Sequence, residues 1–146
     1  MIATMQPVDQ LAEALRQSRQ SLTKPRLAVF VALQGEEPLT IRDLIARCPG
    51  VDRASVYRTV ALFEQLGIVQ RIQMGWKYKL ELSDAFHKHH HHATCLGCDR
   101  SFILPEDSKL ETYVRHMAES VGLRLERHQL ELQGYCPACQ KKSLPF

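Results

Sequence analysis

Two Cys-x-x-Cys pairs, Cys95-Leu96-Gly97-Cys98 and Cys136-Pro137-Ala138-Cys139, constrain this chain more than any other feature. Each two-residue gap sets two sulfurs on one turn facing one ion, so together they read as a closed, tetrahedral four-cysteine zinc (Zn2+) site. The 37 residues between Cys98 and Cys136 are too many for a finger or knuckle. The zinc must therefore tie together two ends of a folded unit. Disulfides are the competing use of four cysteines, but with no apolar signal sequence at the N-terminus the pattern argues for a reducing compartment. The fifth cysteine, Cys48, stands in Ala46-Arg47-Cys48-Pro49 at a helix end and is expected to be a small packed residue with no metal role.

With 146 residues the chain holds one domain or two small ones, and each half is near the size at which a core alone is marginal. A structural metal would help the smaller half to fold. No apolar run approaches the roughly 20 residues that cross a bilayer, so a soluble, cytoplasmic protein with no membrane partner is expected. Residues 1–82 carry 11 Lys and Arg against 8 Asp and Glu, and the remainder 8 of each, so the formal excess of +3 lies wholly in the N-terminal half. That suits a half that meets a polyanion, although a solvated surface would look the same. His87, His89, His90, His91 and His92 run up to the first cysteine pair, and imidazoles suit an exchangeable divalent metal. The run is internal, unlike a terminal affinity tag, and nonspecific metal collection competes as a role for His87.

Val8, Leu11 and Leu15 give residues 8–20 a helical period, and a second helix follows Pro25 through Leu27, Phe30, Val31 and Leu33 until Gly35. Thr40-Ile41-Arg42-Asp43 has the form of a capped start, predicting a third helix over about Ile41 to Arg47. Asp52 caps the next, which runs to about Leu66 with Val56, Val60, Phe63 and Leu66 on one stripe. Residues 68–82 then alternate, with Gly75 at a turn, as a hairpin does. This order makes a winged helix-turn-helix whose Asp52 helix is the recognition helix, with Tyr57 and Arg58 as DNA contacts. Beyond the histidines, residues 93–104 read as strand, 105–121 as a helix with stripe Leu110, Val114, Met117 and Val121, and 123–132 as strand. The expected fold class is α+β: a winged helix-turn-helix domain over 1–82, a His-rich hinge over 83–92, and a small α/β dimerisation and metal-binding domain over 93–146. An open sheet edge on that second unit invites a second copy.

Lys24-Pro25-Arg26-Leu27, Ala54-Ser55-Val56-Tyr57-Arg58-Thr59-Val60, His89-His90-His91-His92 before Cys95-x-x-Cys98, His128, and Cys136-x-x-Cys139 occur in the order that resembles the ferric uptake regulator family of bacterial metal-dependent repressors, over essentially the whole chain. The resemblance implies a homodimer on double-stranded DNA, with Arg26, Ser55, Tyr57 and Arg58 at the DNA, a structural zinc on the four cysteines, and a regulatory metal between the domains. It implies one regulatory site from His89, His91, Glu111 and His128, and a second, hinge site from Glu81, His90 and His92. At the hinge site the chain departs from the family pattern. A histidine usually found just before the third helix is here Pro38 or Glu37, and two extra residues separate Glu81 from the histidine run. Asp84, Glu37 or His87 are the substitutes available.

The expected function is repression of iron-uptake or metal-homeostasis genes, with Fe2+, Zn2+ or Mn2+ as the regulatory ion and all its ligands nitrogen or oxygen. A zinc uptake regulator and a peroxide-sensing repressor are the alternatives within the family. A zinc-stabilised protein-interaction module is the more distant one. No enzyme activity and no small-molecule substrate are expected, because no His-Glu-x-x-His helix or comparable set occurs and an all-cysteine site has no open position.

Overall fold

The computed structural model describes residues 5–142. They divide into two compact units between His89 and His90.

The first unit runs α1 (Pro7–Gln17), α2 (Lys24–Ala32), α3 (Ile41–Ala46), α4 (Arg53–Gln65), β1 (Val69–Met74) and β2 (Lys77–Leu82). Side chains start three of these helices: Thr23, Thr40 and Asp52 accept the N–H of Arg26, Asp43 and Ser55 in turn. α1 stops at Gln17, short of the expected residue 20, because Arg19 turns left-handed (φ 56°) and the Gln20 N–H closes back on the Leu15 carbonyl at 2.8 Å. α4 ends the same way at Gly67, whose φ of 69° lets Ile68 N–H reach the Phe63 carbonyl. The antiparallel β1–β2 register leaves Gly75-Trp76 as a two-residue turn, with Gly75 at φ 63°. Leu39 exchanges both backbone hydrogen bonds with Leu80, which docks the α2–α3 connection onto the hairpin.

One core holds the unit together: Leu11 and Leu15 of α1, Val29 and Phe30 of α2, Leu44 of α3, Val56, Val60 and Phe63 of α4, and Ile68, Leu80 and Leu82 around the hairpin. Cys48 is buried in it as a small packed residue, and desolvation pushes its thiol pKa up. Residues after β2 stay with this core. Ser83 bonds Ile68 and Gly67 carbonyls, and Phe86 packs edge-on against Phe30 at 5.3 Å between centroids.

The second unit runs β3 (His91–Cys95), β4 (Ser101–Leu104), α5 (Ser108–Ser120), β5 (Glu131–Gly134) and α6 (Pro137–Gln140). Its sheet has the order β4-β3-β5, antiparallel on one side (His92 opposite Ile103) and parallel on the other (His92 opposite Glu131). The single strand expected over 93–104 is a hairpin, because the first Cys-x-x-Cys forms its turn: Asp99 is left-handed (φ 58°) and the Cys95 N–H meets the Arg100 carbonyl at 2.8 Å. The helix begins at Ser108 rather than residue 105, since Asp107 accepts the N–H groups of Lys109 and Leu110. Strand over 123–132 is corrected to Glu131–Gly134, the stretch that lies opposite His92–Cys95 of β3. α6, which the sequence did not announce, starts with Pro137 in its first turn.

Among the described residues the buried hydrophobics of this unit are Cys95 and Ala118, while Phe102, Ile103, Tyr113, Met117, Val121, Leu132 and Tyr135 are exposed. Half of the predicted α5 stripe, Met117 and Val121, thus faces outward. A unit with so little apolar interior needs another source of cohesion.

Candidate functional site

The first cluster sits where β3 and β5 end. Cys95 closes β3, Cys98 lies across the turn, Cys136 occupies the cap position of α6, and Cys139 is inside it. Their four Sγ atoms lie within 4.8 Å of one another, and Cys98 Sγ is 3.9 Å from Cys136 Sγ. A zinc–sulfur bond of about 2.3 Å gives a tetrahedron whose S···S edge is about 3.8 Å, so the spacing fits. Gly97 lies so close that a Cβ there would stand 2.9 Å from both Cβ and Sγ of Cys139. The N–H of Cys136 (3.2 Å), with that of Gly97 (3.4 Å), points at Cys95 Sγ. These donors hold the Cys95 thiol down at about 6, whereas sulfur contacts with Cys136 and Cys95 push Cys139 up to about 12. Four sulfurs packed this closely cannot all be thiolates on their own charge; a divalent cation at their centre removes the conflict. The four residues fit a structural zinc.

The second cluster is made by β3, α5 and the segment before β5. His91 Nε2 is 2.8 Å from Glu111 Oε1 and 3.4 Å from His128 Nε2, and His128 Nε2 is 3.3 Å from Glu111 Oε2. Ligands about 2.1 Å from one ion are separated by about 3.0 Å in an octahedron and about 3.4 Å in a tetrahedron, so the spacing of these three suits ligation of one ion. His91 is buried, and Glu111 and His128 are partly so. His89, the fourth residue expected here, is the last of the first unit, and its Nδ1 lies 2.7 Å from Asp84 Oδ2.

Alternation along β3 turns the neighbouring histidines to the other face. His90 Nε2 and His92 Nε2 stand 3.0 Å apart, an octahedral edge, with the ring of His92 fully buried. Behind it, His92 Nδ1 is 3.5 Å from Glu131 Oε1 on β5. The other oxygen, Glu131 Oε2, and Thr94 Oγ1 are buried with no hydrogen-bond partner among the described residues. Glu81, the carboxylate expected at this site, belongs to the first unit, where it is buried on β2 and accepts from Gln70 Nε2 at 2.7 Å.

The residues expected at DNA gather at the N-terminal ends of α2 and α4. Thr23, Arg26, Ser55, Arg58 and Thr59 line one shallow groove. Ser55 is held by both oxygens of Asp52 and receives Arg58 Nη2 at 3.0 Å, while Arg26 Nη2 reaches Gln20 Oε1 at 3.0 Å. Tyr57 projects from α4 about half exposed. At the hairpin tip Trp76 is 87 % exposed beside Lys77, a feature that sequence reasoning did not single out. Arg71 pairs with Glu64 and stacks over Tyr78, bracing the hairpin against α4.

Residues 17–133 match the ferric uptake regulator family. The ferric uptake regulation protein of Escherichia coli K12 is 33% identical over 130 residues, covering 84% of this chain and 86% of its own. That of Synechococcus elongatus is 31% identical over 120 residues, covering 79% and 80%. The crystal structure of the Vibrio cholerae ferric uptake regulator aligns with a TM-score of 0.71 at 28% identity, covering 86% of this chain and 99% of that one. With the winged helix, the four-cysteine cluster and the histidine clusters in place, these matches carry the conclusion that the chain belongs to the ferric uptake regulator family, whose members are transcription regulators and not enzymes.

Proposed function

We propose that this chain is a metal-dependent repressor that acts in the cytoplasm as a homodimer on a palindromic operator, with iron-uptake or metal-homeostasis genes as its targets. The observation that carries this reading is the convergence of His91 Nε2, Glu111 and His128 Nε2 on one point, in a chain whose other unit is a winged helix. In this reading the four cysteines hold a structural zinc, which supplies the cohesion that the apolar interior of the second unit lacks. The exposed apolar residues of that unit supply the surface on which two copies associate.

The family resemblance adds His89 to the His91–Glu111–His128 set and Glu81 to the His90–His92 pair, so in this reading each regulatory ion takes ligands from both halves of the sequence. A divalent ion bound there supplies a charge that both units share. The ligands must favour one arrangement of the two units over others, and moving that equilibrium from 1:99 to 99:1 takes about 5.5 kcal/mol of differential affinity. In the favoured arrangement Tyr57 reads base edges in the major groove. Arg26, Ser55 and Arg58 hold phosphates at the helix N-termini. Trp76 and Lys77 bring the hairpin to the neighbouring backbone. Iron is the first choice of ion, because every regulatory donor is nitrogen or oxygen and the relatives above are named for ferric uptake. Zinc is the second reading and a peroxide-sensing role the third, the latter resting on Asp84, whose Oδ2 lies 2.7 Å from His89 Nδ1.

Selection from a random duplex pool at fixed salt, with and without Fe(II), tests the proposal. An inverted-repeat sequence enriched only with metal is expected. Enrichment of nothing, or of the same sequence regardless of metal, contradicts it.

A further inference from the structure

The His90–His92 pair has a neighbour that neither its spacing nor its chemistry announces in the sequence. β5 runs parallel to β3 with Glu131 opposite His92, which puts a carboxylate on the same face of the sheet as the buried imidazole. His92 uses its two nitrogens in different directions: Nε2 towards His90 at 3.0 Å, and Nδ1 towards Glu131 Oε1 at 3.5 Å. Among the described residues Glu131 Oε2 is buried with no hydrogen-bond partner, as is Thr94 Oγ1 two residues along β3 on that face. A buried carboxylate oxygen left so is costly unless the group serves a charge nearby. When a histidine binds metal through one nitrogen, a carboxylate on the other N–H fixes the tautomer, orients the ring and raises the basicity of the donor.

We propose that Glu131 is the positioning carboxylate of the His90–His92 metal pair: it accepts the Nδ1 proton of His92 and so commits Nε2 to the ion. The proposal rests on the reading of His90 and His92 as metal ligands. Glu131 makes no bond to the ion itself. The carboxylate also offsets part of the ion's charge inside the second unit, from a residue of that unit alone.

The full-length protein with its cysteine zinc retained is titrated with Co(II), read by calorimetry and by the visible ligand-field bands, for wild type, Glu131→Gln and His92→Ala. His92→Ala should remove one exchangeable site. Glu131→Gln should weaken that same site about 10–100-fold while the band positions, the other site and the melting profile stay unchanged. If His92→Ala leaves the stoichiometry intact, the pair is not a metal site and the proposal falls with it. If His92→Ala removes the site but Glu131→Gln leaves its affinity unchanged, the role of Glu131 alone is refuted. A change in the number of ligands in the Glu131→Gln spectrum refutes positioning in favour of direct ligation. The wild-type protein gives a check that needs no folded variant: long-range nitrogen–proton NMR should show His92 protonated on Nδ1, and protonation on Nε2 alone overturns the proposal.

Discussion

Gly97→Ala isolates the geometry of the cysteine cluster with a single methyl group. A Cβ at Gly97 would stand 2.9 Å from Cys139 Cβ and Sγ, and 3.5 Å from the Tyr135 ring. Ordinary contact begins at about 3.4 Å, so Cys139 or the Leu96–Gly97 turn must move by about 0.5 Å. Zinc–sulfur distances tolerate about 0.2 Å. Neither neighbour is the free end of a long side chain: Cys139 is fixed within α6, and the Leu96 N–H is bonded to the Gly134 carbonyl at 2.7 Å. Overpacking of this kind costs about 1–3 kcal/mol. At 1.4 kcal/mol per decade, zinc should then bind roughly fivefold to hundredfold more weakly. Competition against a chromophoric chelator measures the affinity, and zinc content after dialysis checks it. Gly134→Ala is the control, since no atom of the described residues lies within 4 Å of its added Cβ. Equal zinc affinity and equal melting for Gly97→Ala and wild type would refute the convergence of four sulfurs beside Gly97.

Cys136→Ala should release zinc and unfold the second unit, read as zinc loss with loss of its amide protection from hydrogen exchange, because that unit has little apolar interior. Phe63→Ala, a fully buried aromatic in the first unit, should cost about 3–5 kcal/mol in denaturant unfolding. Tyr57→Ala should weaken operator binding by about 1–3 kcal/mol, whereas Arg58→Ala should weaken all DNA alike and lower the salt slope by about one. The Asp52 carboxyl is held below its usual range by the Ser55 hydroxyl and N–H, so its contribution is present above the unfolded carboxylate pKa of about 3.9 and is lost as pH falls through the lower folded value. Thermal melts of wild type and Asp52→Ala should accordingly differ at neutral pH and draw together as the pH falls through the lowered folded value.

Local chemistry was readable wherever a residue acts on its own neighbours. Thr40 and Asp52 cap the helices they were expected to cap, and Gly75 takes a left-handed conformation at the turn expected of it. The period-3.6 stripe of α4 is buried because its core lies within the same unit. The second unit was harder to read. Its first turn is built from metal-ligand cysteines, so a hairpin looked like one strand. Its apolar residues Met117, Val121 and Leu132 point outward, so burial does not follow hydropathy. β5 inverts the usual rule: Leu132 is exposed while Glu131 turns inward onto His92, and a lone polar residue in an alternating strand reads as a solvent-facing one. The triad of His91, Glu111 and His128 spans three segments, and only a family resemblance, not periodicity, joined them in advance.

Fluorescence anisotropy of duplex DNA from upstream of the chain's own gene, at fixed salt and after chelation that spares the cysteine zinc, tests the central claim most directly. Fe(II), added without oxygen, and Zn(II) are titrated in parallel on wild type and on His91→Ala. The account predicts tight, sequence-specific binding that appears with one of the two ions and is lost in His91→Ala. Binding of equal strength with either ion, with none, and in the variant would leave a winged-helix DNA-binding protein and contradict its control by metal.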